Sequence, residues 1–355
     1  MAMSGGVDSS VAAALLKKQG YKVIGVFMRC FNVDGCAEKD VADARRVAGK
    51  LGIPFYVWDF EEDYKTKVVE YMVNGYRDGI TPNPDVMCNK EIKFGLFLKK
   101  ALAMGADYVA TGHYVQVRET SDAPVQGVSG ATPKSYPSRD RRRSLFIARD
   151  ANKDQSYFLW TLTQEQLKYC LFPIGDYLKP EVRRLAAKFG LPTAAKKDSQ
   201  GICFLGKVTI SDFLKQYIPE KQGVVITTSG KKIGEHEGAQ FYTIGQRRIG
   251  VANNKPIYVV DKNIQTNTLL VAEGDDNPAL FKKEVNLMGV NFDGDEIPVM
   301  ARVRYRQPLI PATLKKIDNK NYKLIFAKPV KFVAPGQSAV CYTKKGEMLG
   351  GGIIA

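Results

Sequence analysis

The sequence predicts an α/β protein: a doubly wound parallel sheet in the first half, followed by two β-rich units. Three observations carry this. Short apolar runs alternate with helical periodicity through the first half. Beyond about Gly206 the helical period gives way to short strand patterns between Gly, Asn and Lys turns. Near the start, Ser4-Gly5-Gly6-Val7-Asp8-Ser9-Ser10 feeds directly into the apolar run Val11-Ala12-Ala13-Ala14-Leu15-Leu16.

Taken in order, that glycine loop comes first. Glycines let the backbone approach an anion, and the unpaired N–H groups at a helix start bind it. The spacing differs from the G-x-x-x-x-G-K-[ST] phosphate loop. Read as structure alone, it is a Gly-Gly turn with Asp8 or Ser9 as a cap. The helix runs to about Lys18, and residues 21–27 follow as a buried strand. Val41, Ala44, Val47, Ala48 and Leu51 repeat at helical spacing until Gly52. A strand over 53–60, a helix over about 64–76, a helix over 94–104 and a strand over 108–111 complete the alternation. Only Met1-Ala2-Met3 precede the glycine loop, so the sheet's central strand is expected to be nearly missing: either the start codon is placed too late, or stability and nucleotide affinity are weakened.

Residues 121–143 are rich in Ser, Pro, Gly, Asp and Arg and read as a mobile basic loop inside a hairpin. Arg141, Arg142 and Arg143 there read as a solvated charge run before they read as a phosphate contact. Strand patterns recur at 224–227, 241–244, 257–260 and 269–272, then from 285 to 354 at the spacing of a small barrel or sandwich. Over 299–306, alternation places Arg302, Arg304 and Arg306 on one strand face and Val299, Ala301, Val303 and Tyr305 on the other. An arginine ladder suits phosphate contacts, and equally an ordinary solvent face. The expected domains are 1–205, with an insertion at about 119–143, then 206–272 and 273–355.

Composition narrows the function. Fifty-two Lys and Arg against 37 acids give a net charge of +15, which draws polyanions. The six cysteines contain no C-x-x-C pair, which suits a reducing, cytoplasmic setting without structural disulfides. No signal segment and no membrane-length apolar run are expected. With only His113 and His236, a histidine-rich metal site is not expected.

Two cysteines stand in polar loops. In Thr81-Pro82-Asn83-Pro84-Asp85-Val86-Met87-Cys88-Asn89-Lys90, a proline-stiffened segment sets Asp85 three residues before Cys88, where a carboxylate can manage protons near a thiol. Asp198-Ser199-Gln200-Gly201-Ile202-Cys203-Phe204 is a second polar loop ending in a thiol. Cys170 and Cys341 lie in apolar patterns and read as core residues, while Cys30 and Cys36 flank a loop.

These loops, together with Thr111-Gly112-His113-Tyr114, Lys153-Asp154-Gln155-Ser156-Tyr157, Phe241-Tyr242-Thr243-Ile244-Gly245-Gln246-Arg247-Arg248 and the tail Leu349-Gly350-Gly351-Gly352, occur in the order found in the bacterial tRNA-specific 2-thiouridylases. The resemblance covers nearly the whole chain; the first loop alone resembles that of the wider PP-loop ATP pyrophosphatases. It implies an adenine nucleotide alpha hydrolase-like N-terminal domain, a central tRNA-binding β domain and a C-terminal β-barrel. The insertion at 121–143 is longer than the family's usual segment.

The resemblance also implies a reaction. ATP with Mg²⁺ would adenylate C2 of a wobble uridine in tRNAs of the Lys, Glu and Gln type. Cys203 would carry a persulfide from a sulfur-relay protein. Cys88 would resolve it, leaving a transient Cys88–Cys203 disulfide or releasing sulfide, with Asp85 as acid/base. Carried over residue by residue, Ala2, Met3, Ser4, Gly5, Gly6, Val7, Asp8, Ser9, Met28 and Gly112 would bind ATP. Asn83, Pro84 and Asp85 would meet the target base, and His113, Lys153, Asp154, Gln155, Arg304, Tyr305 and Gln337 the tRNA. No protein metal ligands are predicted, and an iron–sulfur cluster at the paired cysteines is left open, since these spacings do not decide it. Two other readings compete: an ATP pyrophosphatase acting on a small metabolite, and a tRNA-binding protein without catalysis. The first would lack the paired cysteine loops.

Overall fold

The computed structural model describes residues 1–33, 35, 37–119, 142–197, 204–206, 208–292, 294–318 and 321–355. They form two compact units. The first contains residues 1–67, 85–207 and 346–348, and the second 68–84, 208–345 and 349–355. Residues 68–84 thus pack with the second unit although they lie within the expected first domain.

The first unit holds strands β1 (Gly25–Arg29), β2 (Phe55–Asp59), β3 (Val109–Ala110), β4 (Gln116–Glu119), β5 (Arg143–Phe146) and β6 (Cys170–Leu171). β1 pairs with β2 and β3 with β6, both in parallel. Residues 1–3 lie between the two pairs. Met3 N–H donates to Val26 O, Val26 N–H to Met1 O, and Ala2 N–H to Ala110 O, each within 2.9 Å. The central strand is nearly missing, as expected: Ala2 makes an isolated bridge with Val26, and three buried residues bonded on both edges occupy the place. Gly25 makes the fit possible, because a Cβ there would stand 2.5 Å from the Met3 sulfur.

Helices α1 (Val7–Lys18), α2 (Ala37–Leu51), α3 (Glu61–Tyr64), α4 (Glu70–Arg77), α5 (Pro84–Met87), α6 (Leu98–Ala103), α7 (Gln164–Leu167) and α8 (Lys179–Lys188) follow in chain order, α4 belonging to the second unit. Val11, Ala12 and Ala13 of α1 are fully buried among Ala44 and Val47 of α2 and Val182 and Ala186 of α8. Each large apolar side chain buried here contributes about 1.5–3 kcal/mol over exposure. The parallel α/β architecture of this half is as the sequence predicts.

Two expected helices differ in detail. Around residues 64–76 a π-helical turn, Lys65–Val69, separates α3 from α4. The helix ahead of β3 begins as the π-helix Cys88–Phe97 and continues as α6. β4 and β5 pair antiparallel, so the hairpin exists; its interior, residues 120–141, lies outside the described residues. Arg143 is not part of a solvated run. It is buried, and its Nη1 donates to the carbonyls of Leu167, Lys168 and Cys170.

In the second unit, α9 (Ile210–Leu214) precedes a four-stranded sheet of order β8-β7-β10-β9, built from β7 (Gly223–Thr227), β8 (Lys232–His236), β9 (Ile257–Asn263) and β10 (Thr268–Glu273). β8 was not expected. Conversely, the strand expected at 241–244 is absent: Ala239–Phe241 is a 3₁₀ turn, and the segment is bracketed by Gly238 and Gly245 at φ 149° and 85°. Tyr242 and Ile244 instead cover the apolar cluster of Val225, Val259 and Leu269, which explains their strand-like pattern.

β11 (Phe281–Met288), β12 (Glu296–Arg302), β13 (Ile310–Lys316), β14 (Asn321–Lys331), β15 (Ser338–Tyr342) and β16 (Met348–Ile354) close into a six-stranded barrel of order β11-β14-β13-β12-β15-β16 around Ala301, Leu324 and Phe326. The arginine ladder does not form. β12 ends at Arg302, which is buried and donates to the Tyr342 hydroxyl at 2.6 Å. Arg306 follows in a turn at φ 64°. Among the described residues, no helix is long and apolar enough to cross a membrane.

Arg143 gives a direct test of this fold. Replacing Arg143 with Met removes one donor from three inward carbonyls and is expected to destabilise the first unit by about 2–4 kcal/mol in urea melts.

Candidate active site

The chain leaves the central strand at Met3 and turns into α1 through residues 4–9. Gly5 stands at φ 71°, and a Cβ on it would meet Asp40 O at 2.4 Å. Ser9 Oγ accepts from Ser4 N–H and donates to Gly6 O, both at 3.2 Å, and Ser10 Oγ donates to Gly6 O at 2.7 Å. No side chain caps α1 at Gly6. The first-turn N–H groups therefore face outward from a loop stiffened by its own hydroxyls, which is the arrangement that receives an anion. Gly112 closes the floor: a Cβ there would lie 2.7 Å from Ser9 N. Met28 stands half-buried on β1.

Asp8 points sideways. Its carboxylate accepts from Tyr114 Oη at 2.8 Å, and both oxygens accept from Lys179 Nζ at 2.8 Å. On the other flank, Lys196 Nζ donates to Gly5 O at 3.0 Å and to the carboxylates of Asp40 and Asp43. Burial would raise the Asp43 carboxyl, but the bonds from Lys196 and Arg46 outweigh it and hold it below the usual range. The sequence reading missed Lys179 and Lys196. Nothing local marks them, since each is brought in from far along the chain.

The thiol end of the site lies in the same unit. Cys88, buried, opens the π-helix, and Asp85 sits in the turn of helix before it. Burial raises the Cys88 thiol; Lys93 opposes this, Asp85 adds to it, and a hydrogen bond with the Tyr64 hydroxyl opposes it, leaving a net rise. Burial also raises Asp85, against the pull of Lys93. His113 shares the cluster. Its Nε2 is 3.5 Å from Lys93 Nζ and its Nδ1 is 2.7 Å from Thr111 Oγ1. Burial, then the Lys93 charge, push His113 well below an ordinary imidazole. A neutral ring donating from Nδ1 to Thr111 and accepting at Nε2 satisfies both contacts.

Cys203 lies outside the described residues, so its pairing with Cys88 is not described. Phe204, bonded to it in sequence, is buried, with its ring 5.6 Å from that of Tyr64. Cys170 and Cys341 are core residues as expected, with thiols pushed up to about 12 by burial.

The residues expected to meet RNA are placed unevenly. Lys153 is half-buried. Asp154 is turned inward, accepting from the N–H groups of Ala148 and Ser156 and from Ser156 Oγ. Gln155 exchanges two hydrogen bonds with the Tyr114 backbone. In the second unit, Arg304 Nη2 donates to Ile244 O at 2.7 Å, and Tyr305 lies under the Arg306 guanidinium. Gln337 Nε2 donates to the carbonyls of Thr81 and Pro82, and Thr81 N–H donates to Pro335 O. Gln337 thus holds the loop that carries Asn83 and Pro84, both buried.

A stability test follows from His113. Its folded pKa is depressed, so below the ordinary value of 6.5 the unfolded chain binds a proton that the folded site refuses. Its stabilisation is complete above that value and falls as pH drops. Urea melts at about pH 7.5 and about pH 5.5 are expected to show wild type losing more stability than His113→Gln, by up to about 1.4 kcal/mol per pH unit.

Three family models match in succession. They are a tRNA methyl transferase HUP domain over residues 1–207, a tRNA methyl transferase PRC-barrel domain over 211–273 and an aminomethyltransferase beta-barrel domain over 278–354. Among curated relatives, a tRNA-specific 2-thiouridylase MnmA of Streptococcus thermophilus is 45% identical over 368 aligned positions, covering 99% of this chain and 93% of that protein. Proteins of the same name from Bacillus licheniformis and Proteus mirabilis are 44% and 43% identical, covering 99% of this chain and 93% and 95% of theirs. Matched along its whole length by these models and relatives, the chain belongs to the tRNA-specific 2-thiouridylase family.

Proposed function

We propose that this protein is an ATP-dependent tRNA-uridine 2-sulfurtransferase. The relatives' name supplies the reaction class, and the Asp85–Cys88–Lys93–His113 cluster is the observation that carries it. A small-metabolite pyrophosphatase has no use for a proton-managing carboxylate beside a buried thiol.

ATP enters as a substrate. The loop of residues 4–9, with Ala2, Met3, Met28 and Gly112 around it, suits the triphosphate because its helix N–H groups are uncapped. The uridine O2 attacks the α-phosphorus and pyrophosphate leaves, turning a poor leaving group into an adenylate. The terminal sulfur of a Cys203 persulfide then attacks C2, and AMP departs with the original oxygen. The Cys88 thiolate attacks the Cys203 sulfur, breaking the S–S bond. The electron pair passes to the sulfur on C2, and a Cys88–Cys203 disulfide forms, which a cellular dithiol must reduce. Release of sulfide by Cys88 is the alternative route to the same product. Asp85 takes the Cys88 proton. The pyrimidine substrate is a wobble uridine of Lys, Glu or Gln tRNAs, and a sulfur-relay protein supplies the persulfide, in the cytoplasm.

Mg²⁺ would arrive with the triphosphate. Among the described residues no three His, Cys, Asp or Glu side chains gather as metal donors, and Asp8 is tied to Lys179 and Tyr114. Asn83, Pro84 and Asp85 would meet the base. His113, Lys153, Gln155, Arg304 and Tyr305 would meet the tRNA, while Asp154 and Gln337 would support their loops from within.

Incubation with ATP, a persulfide source and unmodified tRNA tests this. Expected are tRNA-dependent AMP and thiolated uridine. AMP without RNA would favour the small-metabolite enzyme, and RNA binding without AMP a non-catalytic binder. Cys203→Ser is expected to abolish thiolation while leaving tRNA affinity within about twofold (under ~0.5 kcal/mol); thiolation that survives it would refute the persulfide role.

A further inference from the structure

Lys93 takes part in no bond-making or bond-breaking step, yet three chemically active groups surround it. Its Nζ stands 3.5 Å from His113 Nε2, and its charge acts on both Asp85 and Cys88. The backbone explains how. At the ordinary helical pitch, residues five apart diverge by roughly 140° around the axis. In the π-helix Cys88–Phe97 the i→i+5 hydrogen-bonding pattern brings residue 93 back toward the face of residue 88. Gly95 belongs to this device. A Cβ on it would meet Lys90 O, five residues earlier, at 2.8 Å.

His113 fixes where the ammonium sits. Thr111 holds the ring by Nδ1, and the rings of Phe94 and Phe172 lie 6.0 and 6.2 Å from it. Nε2 is then an acceptor aimed at Lys93. Among the described residues, the charged or titratable groups facing Cys88 are Asp85 and Lys93 from its own segment, Tyr64 from α3, and His113 through Lys93. Lys93 is the single cation of this set.

We propose that Lys93 is the positioning residue of the sulfur-transfer site: held by neutral His113 and by the π-turn, its ammonium is set as the one cation beside the Cys88 thiol and the Asp85 carboxyl. This rests on the sulfur-transfer reading for its purpose, but not for its test.

The test is a pH titration of ultraviolet thiolate absorbance in the full-length protein without nucleotide or RNA, taken as the difference from the matching Cys88→Ser protein. Removing a cation next to an acid raises its pKa. Lys93→Met is expected to move the Cys88 titration up by about one pH unit, roughly tenfold less thiolate at a given pH. Lys93→Arg is expected to restore most of the shift, and Asp85→Asn to move the titration down. Lys93→Gln serves in the same way should the Met variant fail to fold. Superimposed titrations for wild type and the Lys93 variants would overturn the proposal. A shifted titration in a protein that never thiolates tRNA would leave the role of Lys93 standing and overturn the sulfur-transfer reading instead.

Discussion

Three residues joined by backbone hydrogen bonds on both edges tie the strand pairs of the first unit together. Residues 1–3 link the β1–β2 pair to the β3–β6 pair, and without them the first half would be two separate strand pairs. They also aim the chain: from Met3 it passes into a positive-φ glycine and then a helix whose first turn carries no side-chain cap. The same bonding brings Ala110 alongside, two residues ahead of Gly112. One short segment thus sets both the loop and the floor beneath it.

Around that frame, charge is handled in two ways. Lys196 meets two carboxylates and a carbonyl, and the bonds outweigh desolvation, so Asp43 remains a carboxylate and Lys196 an ammonium. At the thiol end one ammonium serves Asp85 and Cys88 together. Burial wins there, and both acids rise. The first arrangement is rigid and insensitive to pH near neutrality. The second holds two acids in their protonated direction, with one ammonium as the opposing charge.

Much of this could be read from residues alone. Alternating apolar runs announced the α/β half, and the glycine loop, the Asp85–Cys88 spacing and the core character of Cys170 and Cys341 were visible in sequence. What stayed hidden has physical reasons. The short central strand carries no periodicity in three residues. Tyr242 and Ile244 alternate like a strand because they cover an apolar cluster. Arg302 and Arg143 look solvent-facing by type, yet each is buried with partners that local sequence does not reveal. Lys93 was hidden because a helical wheel turns it away from Cys88, and a wheel assumes the wrong pitch for this helix.

The barrel carries a consequence for a molecule with so large a surplus of positive charge. Long anionic polymers gather such proteins side by side at high local density, and there an open row of backbone donors and acceptors invites neighbouring copies to stitch together. Here β16 returns to close the ring, so the last domain offers no such row. Any such stitching would have to start elsewhere, at an open edge such as β8 or β9 of the four-stranded sheet.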